Sequence, residues 1–177
     1  MSSQACNRIL DAAREQILES GIHSLSVRSI ARRAHYSPAG IYRHFESIDE
    51  VRSSLTNQVE HNLIETLIQH FEGDEVPSGR ILARVMRQWI AQNGALTELL
   101  LSQPASEFMP PDADYLWINT VGVHDLSLER RRAVAVFSWD GLRSILHVHS
   151  FSPGIDLEVI LEEFISFVLG LIDSETL

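Results

Sequence analysis

The chain contains no lysine and a single cysteine, Cys6. Without lysine there is no amine side chain for Schiff-base or serine-lysine chemistry, and every fixed positive charge is a planar guanidinium. One cysteine cannot form an internal disulfide, and Cys6 has no cysteine or histidine at a zinc-ligand or catalytic spacing. No apolar run approaches the roughly 20 residues that would cross a bilayer, and Met1 to Arg14 lacks the apolar stretch of a secretion signal. The expected address is therefore the cytoplasm, with no membrane partner. Glycine-rich phosphate loops and nucleophile elbows are also missing. His147 and His149, two apart, point to different faces of a helix. His61 and Glu65 form a lone pair at one-turn spacing rather than a ligand set, and Glu162 and Glu163 are adjacent rather than facing. These absences argue against an enzyme: no catalytic residue, metal or cofactor is expected.

What is present is a 177-residue chain with 45% hydrophobic residues, enough to bury a substantial core. Its formal net charge is -10, which argues at first against a nucleic-acid partner. The charge is segregated, however. From His23 to Phe45 there are four arginines (Arg28, Arg32, Arg33, Arg43) and no acid, whereas residues 51 to 177 carry 8 arginines against 18 acids. One short segment tolerates a polyanion, and the remainder repels it.

Apolar spacing is helical throughout, so the class is all-α. Ile9, Ala12, Ala13, Ile17 and Leu18 mark one face of a first helix that Gly21 ends. A second helix starts after Ser26 and buries Ile30, Ala31 and Ala34. Ser37-Pro38 is the cap-and-first-residue pair of a third, short helix running to about His44, so the intervening turn is three or four residues long. Ser47-Ile48-Asp49-Glu50 reads as a capping box for a long fourth helix, with Val51, Leu55, Val59, Leu63, Leu67 and Phe71 as its stripe. A boundary near residue 46 divides a domain of residues 1–46 from one of residues 47–177. Further helices are expected over Arg80 to Gln92, with Ile81, Leu82, Val85, Met86 and Trp89 inward, then through Leu101, from Leu128 to about His149, and from Asp156 to about Ile172. Residues 105 to 125 show no regular pattern.

A tight turn between two helices, with the second presenting a small, polar, cationic face, is what insertion into a DNA major groove requires. Ile30, Ala34, Ile41 and Phe45 are the inward anchors of such a pair, which leaves Ser37, Ala39, Gly40, Arg43 and His44 facing out. Ser26-Val27-Arg28-Ser29-Ile30-Ala31-Arg32-Arg33-Ala34, followed by Tyr36-Ser37-Pro38-Ala39-Gly40-Ile41-Tyr42-Arg43-His44-Phe45, resembles the DNA-binding signature of the TetR family, and the likeness extends loosely from Ile9 to Leu55. The resemblance implies a helix-turn-helix domain and a ligand-binding, dimerising body. It implies DNA contacts from Ser26, Val27, Arg28 and Ser37, base contacts from Pro38, Ala39 and Gly40, and backbone contacts from Tyr42, Arg43 and His44. Two departures stand out. Ile48 occupies a place where the family often has a basic residue, and Arg43 stands where a second aromatic is common.

The last two helices are apolar on more than one face. Val134, Gly141, Ile145, Val148, Leu157, Ile160, Leu161, Phe164 and Val168 are the expected interface of a homodimer, built as a four-helix bundle. Met86, Trp89, Phe108, Tyr115, Trp117, Phe137 and Trp139 are candidates to line a pocket for a small, largely apolar effector. The expected function is a ligand-responsive regulator, a repressor in the family's usual mode, that binds palindromic double-stranded operator DNA as a dimer. The alternative is a helical small-molecule-binding protein with weak or lost DNA binding.

Overall fold

The computed structural model describes residues 2–70, 78–102, 126–152 and 154–173, and among these every regular element is helical. Helix α1 spans Ser2–Ser20. Its residues Ile9, Ala12, Ala13 and Ile17 recur every three or four positions and are buried. Leu18, expected beside them, is 48% exposed. It follows Ile17 by one position, which turns it about 100° around the helix. Gly21 ends α1 at φ 77, where a Cβ would be penalised.

After a short turn at Ile22–Ser24, helix α2 covers Val27–Ala34. Its start is fixed by a reciprocal cap. The Ser26 hydroxyl accepts from the Ser29 amide and the Ser29 hydroxyl accepts from the Ser26 amide, each at 3.1 Å. His35 closes α2 in the left-handed region, at φ 59 and ψ 41. Helix α3 covers Pro38–Ile41, with the Ser37 hydroxyl accepting from the Gly40 amide at 3.0 Å. It stops short of the expected His44, but the Tyr42 and Phe45 amides still bond back to Pro38 and Ile41.

Helix α4 runs Ile48–His70. Ser47 caps it by accepting from the Glu50 amide at 3.1 Å. The other half of the expected box is shifted: the Glu50 carboxylate takes the amide of Glu46 rather than that of Ser47. Val51, Leu55, Val59, Leu63 and Leu67 are all buried, as the stripe predicts, while Phe71 lies outside the described residues. Then come α5 (Gly79–Asn93), a turn at Gly94–Leu96, α6 (Thr97–Ser102), α7 (Leu128–Phe151) and α8 (Leu157–Asp173). No described helix is long and apolar enough to cross a membrane.

The chain forms two compact units. The first comprises residues 1–60 and 93–103. Here α1 packs on α2 and on the turn at Gly94–Leu96, α2 packs on α3, and Ile9, Ile17, Ile30, Ile41, Leu55, Leu96 and Leu99 fill the core. Fully burying side chains of this size contributes roughly 1.5–3 kcal/mol each relative to leaving them exposed. Position 46, the expected edge of the head, falls inside this unit.

The second unit comprises residues 61–92 and 104–177. Leu82, Val85, Met86, Trp89, Trp139, Leu142, Leu146, Leu157, Leu161 and Val168 are buried in it, whereas Ile81, expected inward, is 37% exposed. The Trp89 indole N–H donates to Asn62 Oδ1 at 3.0 Å. Gly141 of α7 faces Phe164 of α8 so closely that a Cβ there would stand 2.6 Å from the ring's Cζ. Gly79, at the start of α5, meets α8 more closely still. Its amide donates to the Glu162 carboxylate, and an added Cβ would lie 2.6 Å from the Glu162 nitrogen and 2.8 Å from its Cα. Arg80 pairs with Glu158 at 2.9 Å and Arg87 with Asp156 at 3.3 Å, holding α5 in register with the start of α8.

Candidate nucleic-acid interface

The acid-free segment folds entirely within the first unit. Ile30, Ala34, Ile41 and Phe45 are each less than a tenth exposed and anchor α2 and α3 from within. The residues between them divide by exposure. Ser26, Arg28, Ser37, Pro38, Ala39, Tyr42 and Arg43 are exposed, Val27 and His44 are half-buried, and Gly40 is buried. Gly40 thus differs from the outward position read for it in the sequence. A Cβ on it would stand 3.2 Å from Tyr36 Cδ1 and 3.3 Å from Ser37 Oγ, so its lack of a side chain lets the turn fold against α3. Tyr42 is 56% exposed.

The arginines are not equivalent. Arg33 bonds Glu19 with both terminal nitrogens and Glu15 at 3.2 Å, joining α2 to α1. The hydrogen bond from Arg33 holds the Glu19 carboxyl below the usual carboxylate range, and the same two acids push the guanidinium further up. Arg33 is therefore neutralised within the fold. Arg28, Arg32 and Arg43 are exposed with no carboxylate partner among the described residues. Arg8, one position before the matched signature and not singled out by any motif, is also exposed. Its guanidinium carbon lies 5.1 Å from the centroid of the Tyr36 ring, and Nη2 donates to the Tyr36 hydroxyl. Ile48, where a cation would have been expected, is half-buried at the first position of α4. Arg52, one turn on, is paired with Asp49 at 2.9 Å.

In the second unit the expected pocket residues separate. Met86, Trp89 and Trp139 are buried at 2% exposure or less, Phe137 is 44% exposed, and Phe108, Tyr115 and Trp117 lie outside the described residues. Phe137 stacks on Phe164 and lies tilted against Phe167 of α8, at centroid distances of 6.4 and 5.6 Å. It also edges an open groove of about 480 Å³ with Arg130, Ala133, Val134 and Leu171. Three polar atoms of α7, Ser138 Oγ, Trp139 Nε1 and His149 Nδ1, are buried without a hydrogen-bond partner among the described residues.

The expected interface residues separate in the same way. Leu157, Leu161 and Val168 are buried inside the unit and Val134 and Ile145 nearly so, while Ile160, Phe164 and Gly141 are half-buried and Val148 is 41% exposed. The unit's own helices cover the first three. What α7 and α8 leave uncovered is Val148 together with four residues outside the expected set, Val136, Phe137, Val159 and Phe167, each more than 40% exposed. Among the described residues no group of three or more histidine, cysteine, aspartate or glutamate side chains is placed to hold a metal ion. His61 and Glu65 form an exposed surface pair at 3.2 Å.

Residues 9–55 match the family model of bacterial regulatory proteins, tetR family. An HTH-type transcriptional regulator of Mycobacterium tuberculosis, Rv1816, is 29% identical over 114 residues, covering 59% of this chain and 47% of the relative. The chain thus spans about half the length of the curated relatives it matches. Among solved structures, the multidrug binding protein EbrR complexed with imidazole superposes with a TM-score of 0.61 at 20% identity, over 94% of this chain and 90% of that one. Thermus thermophilus FadR, a TetR-family transcriptional repressor in complex with lauroyl-CoA, superposes with a TM-score of 0.58 at 18% identity, over 97% of each chain. These two likenesses establish a common fold. The helix-turn-helix segment, matched from α1 into α4, thus carries the signature of the tetR family of bacterial regulatory proteins, in a chain that shares its fold with solved structures of such regulators.

Proposed function

We propose that the chain is a ligand-responsive repressor that binds double-stranded operator DNA as a homodimer, with residues 1–46 as reading head and residues 47–177 as effector-binding and dimerising body. The observation that carries this reading is the outward set on α2 and α3. Arg28, Pro38, Ala39, Tyr42 and Arg43 share one acid-free stretch, all exposed, on a pair of helices whose other faces are anchored in a core. Pro38 and Ala39 are small enough for the α3 backbone to approach base edges, and Arg43 and Tyr42 supply donors to phosphate. Arg28 reaches a phosphate or base edge from α2, with Ser26 and Val27 beside it, and His44 flanks the backbone. Gly40 serves the site by packing rather than by contact, since nothing of it projects.

The exposed apolar residues of α7 and α8 support dimerisation through that pair of helices, with Phe137 and Phe167 at the centre of the contact. A two-fold axis there sets two heads on two half-sites. The effector is largely apolar and carries a hydrogen-bond acceptor, which would meet the buried Trp139 N–H, a donor without a partner among the described residues. Its binding favours a state in which the two heads cannot engage one duplex, and so releases DNA.

The test is titration of the full chain against duplexes selected from a random pool, at several salt concentrations. The expected result is saturable binding whose affinity falls steeply with salt, with Arg43→Ala and Tyr42→Phe weakening it and leaving the oligomeric state unchanged. Salt-insensitive or absent binding would favour the second reading, a helical small-molecule binder that has lost its grip on DNA.

A further inference from the structure

The surface that meets DNA in this reading does not end where the family signature ends. Arg8 is the residue immediately before the matched segment, and it is exposed on α1. Its guanidinium lies over the Tyr36 ring and donates one N–H to the Tyr36 hydroxyl. Tyr36 in turn stands edge-on to His44, with centroids 6.2 Å apart and planes at 81°. The same ring closes over the bare Cα of Gly40 in α3. Arg8, Tyr36 and His44 therefore form a continuous row running from α1 onto the flank of α3, and its far end is a residue already placed beside the DNA backbone.

The chemistry of the row suits an anion. A guanidinium has five N–H donors, and the bond to the Tyr36 hydroxyl engages one of them. The Tyr36 oxygen accepts from Arg8, so its own hydrogen is directed elsewhere. No carboxylate among the described residues pairs with Arg8, in contrast to Arg33, whose charge two glutamates consume. We propose that Arg8 and Tyr36 together grip one phosphate of the duplex backbone. Arg8 supplies charged N–H donors and Tyr36 an O–H donor to its non-bridging oxygens, beside the groove that α3 enters. The contact is indifferent to sequence, and it supplies the cation that Ile48 does not. A lone exposed arginine would be too mobile for this; the ring beneath and the hydroxyl bond hold it in one place at little further entropic cost.

This inference rests on the DNA-binding reading, and its test separates the two. The full chain is titrated with a selected duplex and with an unrelated duplex over a salt series, alongside Arg8→Gln, Arg8→Lys, Tyr36→Phe and Arg43→Ala. Arg8→Gln is expected to weaken binding to both duplexes by the same factor, about tenfold, and to lower the slope of log affinity against log salt by about 1 per head. Arg8→Lys keeps the slope but loses part of the affinity, because an ammonium neither stacks nor forks. Tyr36→Phe loses roughly two- to threefold with the slope unchanged, the hydroxyl being neutral.

Unchanged affinity and slope in Arg8→Gln, with Arg43→Ala still weak, would overturn the grip and leave the DNA-binding reading standing. A loss in Arg8→Gln that comes with a lower melting temperature and an unaltered slope would make Arg8 a packing residue, again overturning it. Should the unmodified chain bind neither duplex in a salt-dependent way, the reading beneath the proposal fails and the proposal falls with it.

Discussion

Replacing Gly79 by alanine puts the packing of the body to a quantitative test. The added Cβ would stand 2.6 Å from the Glu162 nitrogen and 2.8 Å from its Cα, and both are backbone atoms of α8 that no rotamer change can move. The start of α5 must shift, and with it the amide bond from Gly79 to the Glu162 carboxylate. Overpacking of this kind costs roughly 1–3 kcal/mol. Alanine's better helix propensity returns at most about 0.5–1 kcal/mol. A net loss of about 1 kcal/mol is expected, which in a chain of this length lowers Tm by about 2–4 °C. Thermal and urea unfolding of Gly79→Ala measure it directly. A second arm identifies the cause: Gly79→Ala combined with Glu162→Ala removes the carboxylate but leaves the two backbone atoms in place. The double variant should therefore melt no higher than Gly79→Ala alone. If Gly79→Ala melts at or above the unmodified protein, or if truncating Glu162 restores it, the backbone approach of α5 to α8 is not as described.

Two further outcomes are expected. Because Arg33 holds the Glu19 carboxyl below its ordinary range, the stability it contributes is present above the unfolded carboxylate pKa of about 4.3 and is lost as pH falls through the lower folded value. Glu19→Gln should accordingly melt slightly below the unmodified protein at neutral pH and converge with it only once the pH has fallen below the ordinary carboxylate range; a gap that persists in strong acid would mean that geometry and not charge sets it. Phe167→Asp, which places a charge on the exposed apolar surface of α8, should convert a dimer to monomers in sedimentation velocity without lowering helical content. An unaltered sedimentation coefficient would move the interface elsewhere.

The local grammar of the head was legible in the sequence because its causes are local. Ser26, Ser37-Pro38, Ser47 and Gly21 act within four residues of themselves, and each caps or ends the helix expected of it. What the sequence hid depends on residues far apart. Arg33 meets Glu15 and Glu19 across 18 and 14 positions, so a count of arginines overstates the charge offered outward. Arg8 and Tyr36 are 28 apart, and only the crossing of α1 with the turn before α3 brings them together. Gly40 was misplaced because spacing on a four-residue helix cannot say which side a neighbouring ring will cover. In α8, apolar residues lie on several faces, and no periodicity distinguishes a face buried by its own chain from one left for a partner; Leu157 and Leu161 proved to be the former, Phe167 the exposed kind.

The backbone of the turn at His35 also bears on how the head can vary. A residue held at φ 59 and ψ 41 is tolerable for glycine, asparagine, aspartate or histidine and strained for any β-branched side chain. If α2 and α3 read DNA as proposed, a library built to retarget the protein to new sequences should therefore diversify positions 38, 39 and 43, restrict 35 to those four residues, and leave 40 as glycine. Variants drawn without that restriction would be lost mostly to misfolded heads, and their silence would be mistaken for a failure to recognise DNA.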